Sequence, residues 1–73
     1  MTKIIEILTH YTDVPAATIQ SDSRLVADLG LTSLDVLDMV GEFEDEYDIE
    51  ILDKDIKQMQ TVQDIADYLS AHA

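Results

Sequence analysis

Apolar residues recur at helical spacing in several stretches of this chain and lose that rhythm in one long interval. In "TKIIEILTHY", Ile4, Ile5, Ile7, Leu8 and Tyr11 share one broad helical face, with Thr2 placed to cap its start. Pro15 stops regular structure, and Asp13 to Thr32 reads as a connection of about 20 residues, long for so small a chain. Val14, Ile19, Leu25, Val26 and Leu29 are the expected anchors that drop it onto the helices beneath. Thr32 fits an N-cap and Asp35 the acidic end of a capping box, so a second helix begins at Ser33 and ends near Tyr47. "ILDKDIKQM" allows one or two turns around Asp53 to Lys57. "TVQDIADYLSA" repeats the capping pattern with Thr61 and Asp64 ahead of a stripe of Val62, Ile65, Ala66 and Leu69. The expected fold is all-α: a small four-helix bundle with a long loop between helices one and two and a short third helix, one domain over residues 1–73.

Charge alters that picture. Lys3, Arg24, Lys54 and Lys57 stand against 16 acids, a formal net charge of -12. A field of that sign repels nucleic-acid backbones and anionic lipid, and it favours partners with basic protein patches. No run of apolar residues reaches membrane-spanning length and no basic segment precedes one, so neither a span nor a signal peptide is predicted. With no cysteine, helix packing alone must hold the fold, and a cytoplasmic location is expected. Apolar residues at 47% separate the chain from disordered acidic segments.

Projecting Ser33 to Tyr47 at ~100° per residue divides the second helix into three sectors. Val36, Met39, Val40, Phe43 and Tyr47 form the core face. Asp35, Asp38, Glu42, Asp45 and Glu46 form an acidic arc, with like charges at spacings that each cost a few tenths of a kcal/mol. Ser33, Leu34, Leu37 and Gly41 form a third, apolar sector pointing away from the core, with Glu44 at its border. Gly41 costs about 0.5 to 1 kcal/mol relative to alanine inside a helix and leaves a shallow place for another surface. Ten of the 16 acids, from Asp35 to Asp55, surround this one helix-mouth serine. An apolar strip rimmed by charge is the layout of a docking surface.

Enzyme chemistry finds little support in these residues. His10 and His72 sit in no catalytic motif, and a nucleophilic serine needs a base and an orienting group. "DEYDIEILDKDI" lacks the glycine and terminal glutamate of an EF-hand loop, so no metal site is predicted. The features are those of a substrate presented to enzymes.

The stretch "DLGLTSLDVLDMVGEFEDEYDIEI" resembles the acyl carrier proteins, whose attachment motif is Asp-Ser-Leu at the start of the second helix behind an Asp-Leu-Gly-like approach. The resemblance extends over nearly the whole chain, through the closing "TVQDIADYL". It implies that a phosphopantetheinyl transferase moves 4'-phosphopantetheine from coenzyme A onto Ser33, and that acyl groups ride on the arm as thioesters. Partners implied are that transferase, acyltransferases, ketosynthases and other enzymes with basic patches, served by a monomeric carrier. Carried over by position, the partner surface is Leu34, Asp35, Leu37, Asp38, Gly41, Glu44, Asp45 and Ile51 around Ser33. The acyl pocket is Leu29, Met39, Phe43, Ile51, Ile56, Met59, Ile65 and Tyr68. One residue departs from the pattern: Thr32 stands where the family has aspartate, keeping a cap but losing a charge beside the serine. Peptidyl carriers of the same fold usually show Gly-Gly before the motif, where this chain has "LGLTSL". A D-alanyl carrier stays open, as does an acidic scaffold module that is never loaded.

Overall fold

A computed structural model describes residues 2–72 of the chain. Four α-helices run in the order α1 (Thr2–Leu8), α2 (Ser33–Tyr47), α3 (Asp53–Ile56) and α4 (Val62–His72), with a single 3-10 turn at Ala16–Thr18 between the first two. No strand occurs among the described residues, and the all-α bundle with a long first loop and a short third helix is as expected. Thr2 is the first residue of α1, so the cap position falls outside the described residues.

α1 is too short to persist alone, since isolated helices under about 12 residues are marginal in water. Burial holds it: Ile4, Ile7 and Leu8 face the core. Polar contacts at its start and just past its end also tie it to α2. His10 Nδ1 lies 2.7 Å from Glu42 Oε2, the Tyr11 hydroxyl donates to Glu42 Oε1 at 2.6 Å, and Lys3 pairs with Glu46 at 3.2 Å.

The connection from α1 to α2 lacks helical periodicity yet supplies Ile19, Leu25, Leu29 and Leu31 to the core, each at most 5% exposed. Backbone hydrogen bonds fasten it along its length. Leu25 N–H donates to the Gln60 carbonyl at 2.9 Å, and Val62 N–H and Gln63 N–H donate to the Ser23 and Ser21 carbonyls at 3.1 and 2.8 Å. The loop is thereby stapled to the junction of α3 and α4. Thr12 Oγ1 donates to the Leu29 carbonyl at 2.7 Å, and Gly30 turns the chain with a φ of 73°, a conformation that glycine adopts without penalty. Two expectations for this loop need correction. Val26 is 65% exposed, because its neighbour Leu25 takes the core position, and the anchor overlooked was Leu31, 2% exposed.

α2 begins as its sequence predicts. Thr32 is the N-cap, its hydroxyl accepts from Asp35 N–H at 3.2 Å, and Asp35 Oδ2 accepts from Thr32 N–H at 3.0 Å. Met39, Val40 and Phe43 are buried, while Val36 and Tyr47 pack against the edge of the core. The helix ends at Asp48, whose φ of 55° places it in the left-handed region that aspartate tolerates better than most residues. α3 buries no residue, so its neighbours hold it in place. α4 shows the reciprocal cap predicted for Thr61 and Asp64, with hydrogen bonds of 3.0 and 3.1 Å, and buries Val62, Ile65 and Leu69.

Candidate functional site

Ser33 is exposed and occupies the first turn of α2. The capping pair uses the amides of Thr32 and Asp35, and among the described residues no intramolecular acceptor takes the amides of Ser33 or Leu34. Those two N–H groups and the positive end of the helix dipole suit an anion esterified to the Ser33 hydroxyl. Beside it Leu34 is 73% exposed and Leu37 53%. A Cβ added at Gly41 would meet nothing within 4 Å, so no intramolecular neighbour demands glycine there.

The acidic residues of α2 divide by their partners. Asp35 closes the capping box, Glu42 receives Tyr11 and His10, Glu44 Oε2 accepts from Ile51 N–H at 2.8 Å, and Glu46 meets Lys3. These four have structural work: the capping role of Asp35 was expected from the sequence, those of Glu42, Glu44 and Glu46 were not. Asp38 and Asp45 are exposed and have no hydrogen-bond or ion-pair partner among the described residues. Glu42 is held below the usual carboxylate range, first by the Tyr11 hydroxyl and then by His10, while Glu42 in turn pushes Tyr11 up to about 12. The acidic arc is thus part brace and part free surface.

A groove of about 620 Å³ opens beside Ser33, within the size range of small-molecule sites. Leu25, Val26 and Ala27 of the loop, Val36 and Leu37 of α2, and Ile56 and Met59 around α3 give it apolar walls; Arg24, Lys57 and Gln60 add polar ends. A second groove, about 440 Å³, lies beyond Leu37 and Ile56 and is lined also by Val40, Glu44, Glu50, Ile51, Leu52 and Asp53.

Of the pocket residues expected from sequence, Ile56 and Met59 line the groove at Ser33. Leu29, Met39, Phe43 and Ile65 instead lie in the packed core, between 0% and 5% exposed. Tyr68 is half-buried over a separate hollow, its hydroxyl 3.1 Å from Asp55 Oδ2. Ile51, expected both at the partner surface and in the pocket, is 6% exposed and lines the second groove. Leu34, Asp35, Leu37, Asp38, Gly41, Glu44 and Asp45 do share the outer side of α2, with Asp35, Gly41 and Glu44 only partly exposed. Arg24, Val26, Ala27, Lys57 and Gln60 were not foreseen at the groove.

An exposed serine beside a helix cap, with an apolar groove at its side on an all-α frame, is the arrangement of a protein that carries a group on a side chain. Comparison with known proteins agrees. A family model described as phosphopantetheine attachment site matches residues 2–69. The chain is 39% identical to an acyl carrier protein of Syntrophus aciditrophicus over 92% of its own length and 84% of that relative. It is 40% identical to an acyl carrier protein of Syntrophobacter fumaroxidans over 93% of its length and 84% of that relative. A solved acyl carrier protein from Enterococcus faecalis superposes with a TM-score of 0.85 at 30% identity, over 97% of this chain and 90% of that one. The chain belongs to the phosphopantetheine-bearing acyl carrier proteins. It is a carrier, not an enzyme, and 4'-phosphopantetheine is its cofactor.

Proposed function

We propose that residues 1–73 act as one carrier unit loaded at Ser33 with 4'-phosphopantetheine, which then holds acyl intermediates as thioesters for fatty-acid or polyketide biosynthetic enzymes. One observation carries the reading: Ser33 stands exposed directly after the N-cap Thr32, inside the Thr32–Asp35 capping box and at the edge of an apolar groove. The chain contains no thiol of its own, so the arm must supply the thioester sulfur. The phosphodiester formed at Ser33 would lie against the open amides of the first turn.

Partner enzymes read the outer side of α2. Leu34 and Leu37 offer the apolar centre, Asp38 and Asp45 the charges that basic patches can meet without breaking an internal bond. Gly41 lets the partner approach closely. The braced acids Asp35 and Glu44 keep the helix start and the α2–α3 turn in place beneath that surface. Thr32 preserves the cap while leaving the serine without the family's adjacent carboxylate, so a transferase dependent on that carboxylate loads the chain slowly.

Intact mass tests the proposal. Incubation with coenzyme A, magnesium and a promiscuous phosphopantetheinyl transferase should add one phosphopantetheine to the protein and none to Ser33→Ala. Absence of any gain with several active transferases would move the reading to an unloaded acidic scaffold, with Thr32→Asp the first reversion to examine.

A further inference from the structure

The two grooves that share Leu37 and Ile56 carry opposite charge. Acids outnumber bases 16 to 4 in this chain, yet the groove beside Ser33 is lined by Arg24 and Lys57 and by no carboxylate residue, whereas the neighbouring groove has Glu44, Glu50 and Asp53 and no base. Half of the chain's bases therefore converge on the one groove that opens at the serine.

We propose that the Ser33 groove selects acyl cargo ending in a carboxylate, the aliphatic chain lying along Leu25, Val36 and Met59 and the anionic end meeting Arg24 and Lys57. The inference rests on Ser33 as the loading site. Three further features support it. First, the two bases are fixed relative to one another through the backbone. Arg24 forms a bridge with Thr61, and Leu25 N–H donates to the Gln60 carbonyl at 2.9 Å, so the loop that bears Arg24 is bonded to the segment just beyond Lys57. Second, neither base is held in a close ion pair. Lys57 makes no ion pair among the described residues. Arg24 meets Asp28 only through Nε at 3.8 Å, and that carboxylate already accepts the backbone N–H of Arg24 at 2.7 Å. Third, an apolar wall bounded by cations is complementary to a chain with an anionic tip, which a neutral tail cannot match. Charge on the opposite side of Leu37 works in the same direction, since Glu44, Glu50 and Asp53 repel an anion from the second groove.

The test compares two cargoes of equal length on intact protein. Octanoyl and suberoyl coenzyme A, transferred with their arms by a promiscuous transferase and verified by mass, give a methyl-ended and a carboxylate-ended form. Thioester cleavage by hydroxylamine at low salt should be about three-fold slower for the suberoyl form than for the octanoyl form, as expected of one or two exposed charge contacts, and the difference should fade in high salt. Lys57→Glu and Arg24→Glu, checked for folding by circular dichroism, should each reduce or remove the difference between the suberoyl and octanoyl forms of the same variant. Equal rates for the two cargoes in the unaltered protein, or a slower octanoyl form, overturn the inference. So does a Lys57→Glu effect on melting that is already complete in the form carrying the arm without any acyl group, because the anion held would then be the phosphate. Failure to load is recorded earlier, by mass, and overturns the reading of Ser33 and this inference together; equal cleavage on loaded protein overturns the inference alone.

Discussion

The grooves on either side of Leu37 and Ile56 use the same ridge and opposite charges. The one at Ser33 is built by the loop before α2 and the segment after α3, and it is basic at its polar ends. The other is built by the end of α2 and the α2–α3 turn, and its polar wall is acidic. Their difference shows that a net charge of -12 describes the field a partner meets at a distance but not the field inside a particular cleft, where two side chains within a few ångströms outweigh many farther away. Glu44 illustrates the division of labour. It belongs to the acidic groove, yet its carboxylate is committed to Ile51 N–H, whereas Asp38 on the outer side of the same helix is uncommitted.

Removing the floor of the Ser33 groove should have the largest effect. Leu25 is 1% exposed, and Leu25→Ala is expected to cost about 2 to 5 kcal/mol. A urea midpoint within error of the parent would mean that the loop does not close the core as described. Next comes the contrast between two acids. Glu44→Ala should cost about 1 to 3 kcal/mol by leaving Ile51 N–H without its acceptor, with little change in the rate of loading. Asp38→Lys should leave the midpoint almost where it was and slow loading by a basic-patched transferase, most clearly at low salt. If both substitutions lower stability alike, the split between bracing and free acids on α2 is mistaken.

Acidity and salt sharpen the comparison further. Glu42 is held low by Tyr11 and His10, and Asp64 by the amide of Gln60 and the Thr61 cap. Groups with lowered folded values contribute stability that is present above the ordinary carboxylate range and is lost as pH falls through the lowered values. Tyr11 has the reverse sign. Raised to about 12 from 10.0, it contributes fully below its ordinary value, and that contribution is lost as pH climbs towards 12. Melting temperatures should therefore fall at both extremes, and Glu42→Gln should blunt the alkaline loss. The molecule measures 27 × 23 × 19 Å, less than the screening length of about 30 Å at 0.01 M salt. Its excess negative charges therefore repel one another across the whole fold, and added salt should raise the urea midpoint; a flat response would argue against self-repulsion.

The smallest expected change is a gain. Gly41→Ala meets open space and should stabilise α2 by about 0.5 to 1 kcal/mol. If the outer side of α2 is a docking surface, the same change weakens partner binding despite the added stability. A variant that is more stable and binds equally well would remove Gly41 from that surface.

Local chemistry made much of this protein legible. Both capping boxes, Thr32 with Asp35 and Thr61 with Asp64, could be read because hydroxyl, carboxylate and amide meet within three residues. The buried set Met39, Val40 and Phe43 and the outward Leu34 and Leu37 follow from helical periodicity, which needs only one turn's neighbours to define a face. The resemblance carried by "DLGLTSL" placed the serine as well. Residues whose position depends on distant contacts were legible only in part. Leu31 was missed and Val26 was misplaced because an aperiodic loop has no face to project. The partners of Glu42, Glu44 and Glu46 were hidden for a related reason: Tyr11 and Glu42, for example, are 31 residues apart.

The sequence alone determined four helices, where two of them begin, and which serine stands exposed at a helix start, since each depends on interactions along a few bonds of chain. Tertiary structure decided that Arg24 and Lys57 would face one groove while Glu44, Glu50 and Asp53 faced its neighbour. Backbone bonds between Ser21–Leu25 and Gln60–Gln63 bring the segments bearing Arg24 and Lys57 together, and no local pattern encodes such pairing.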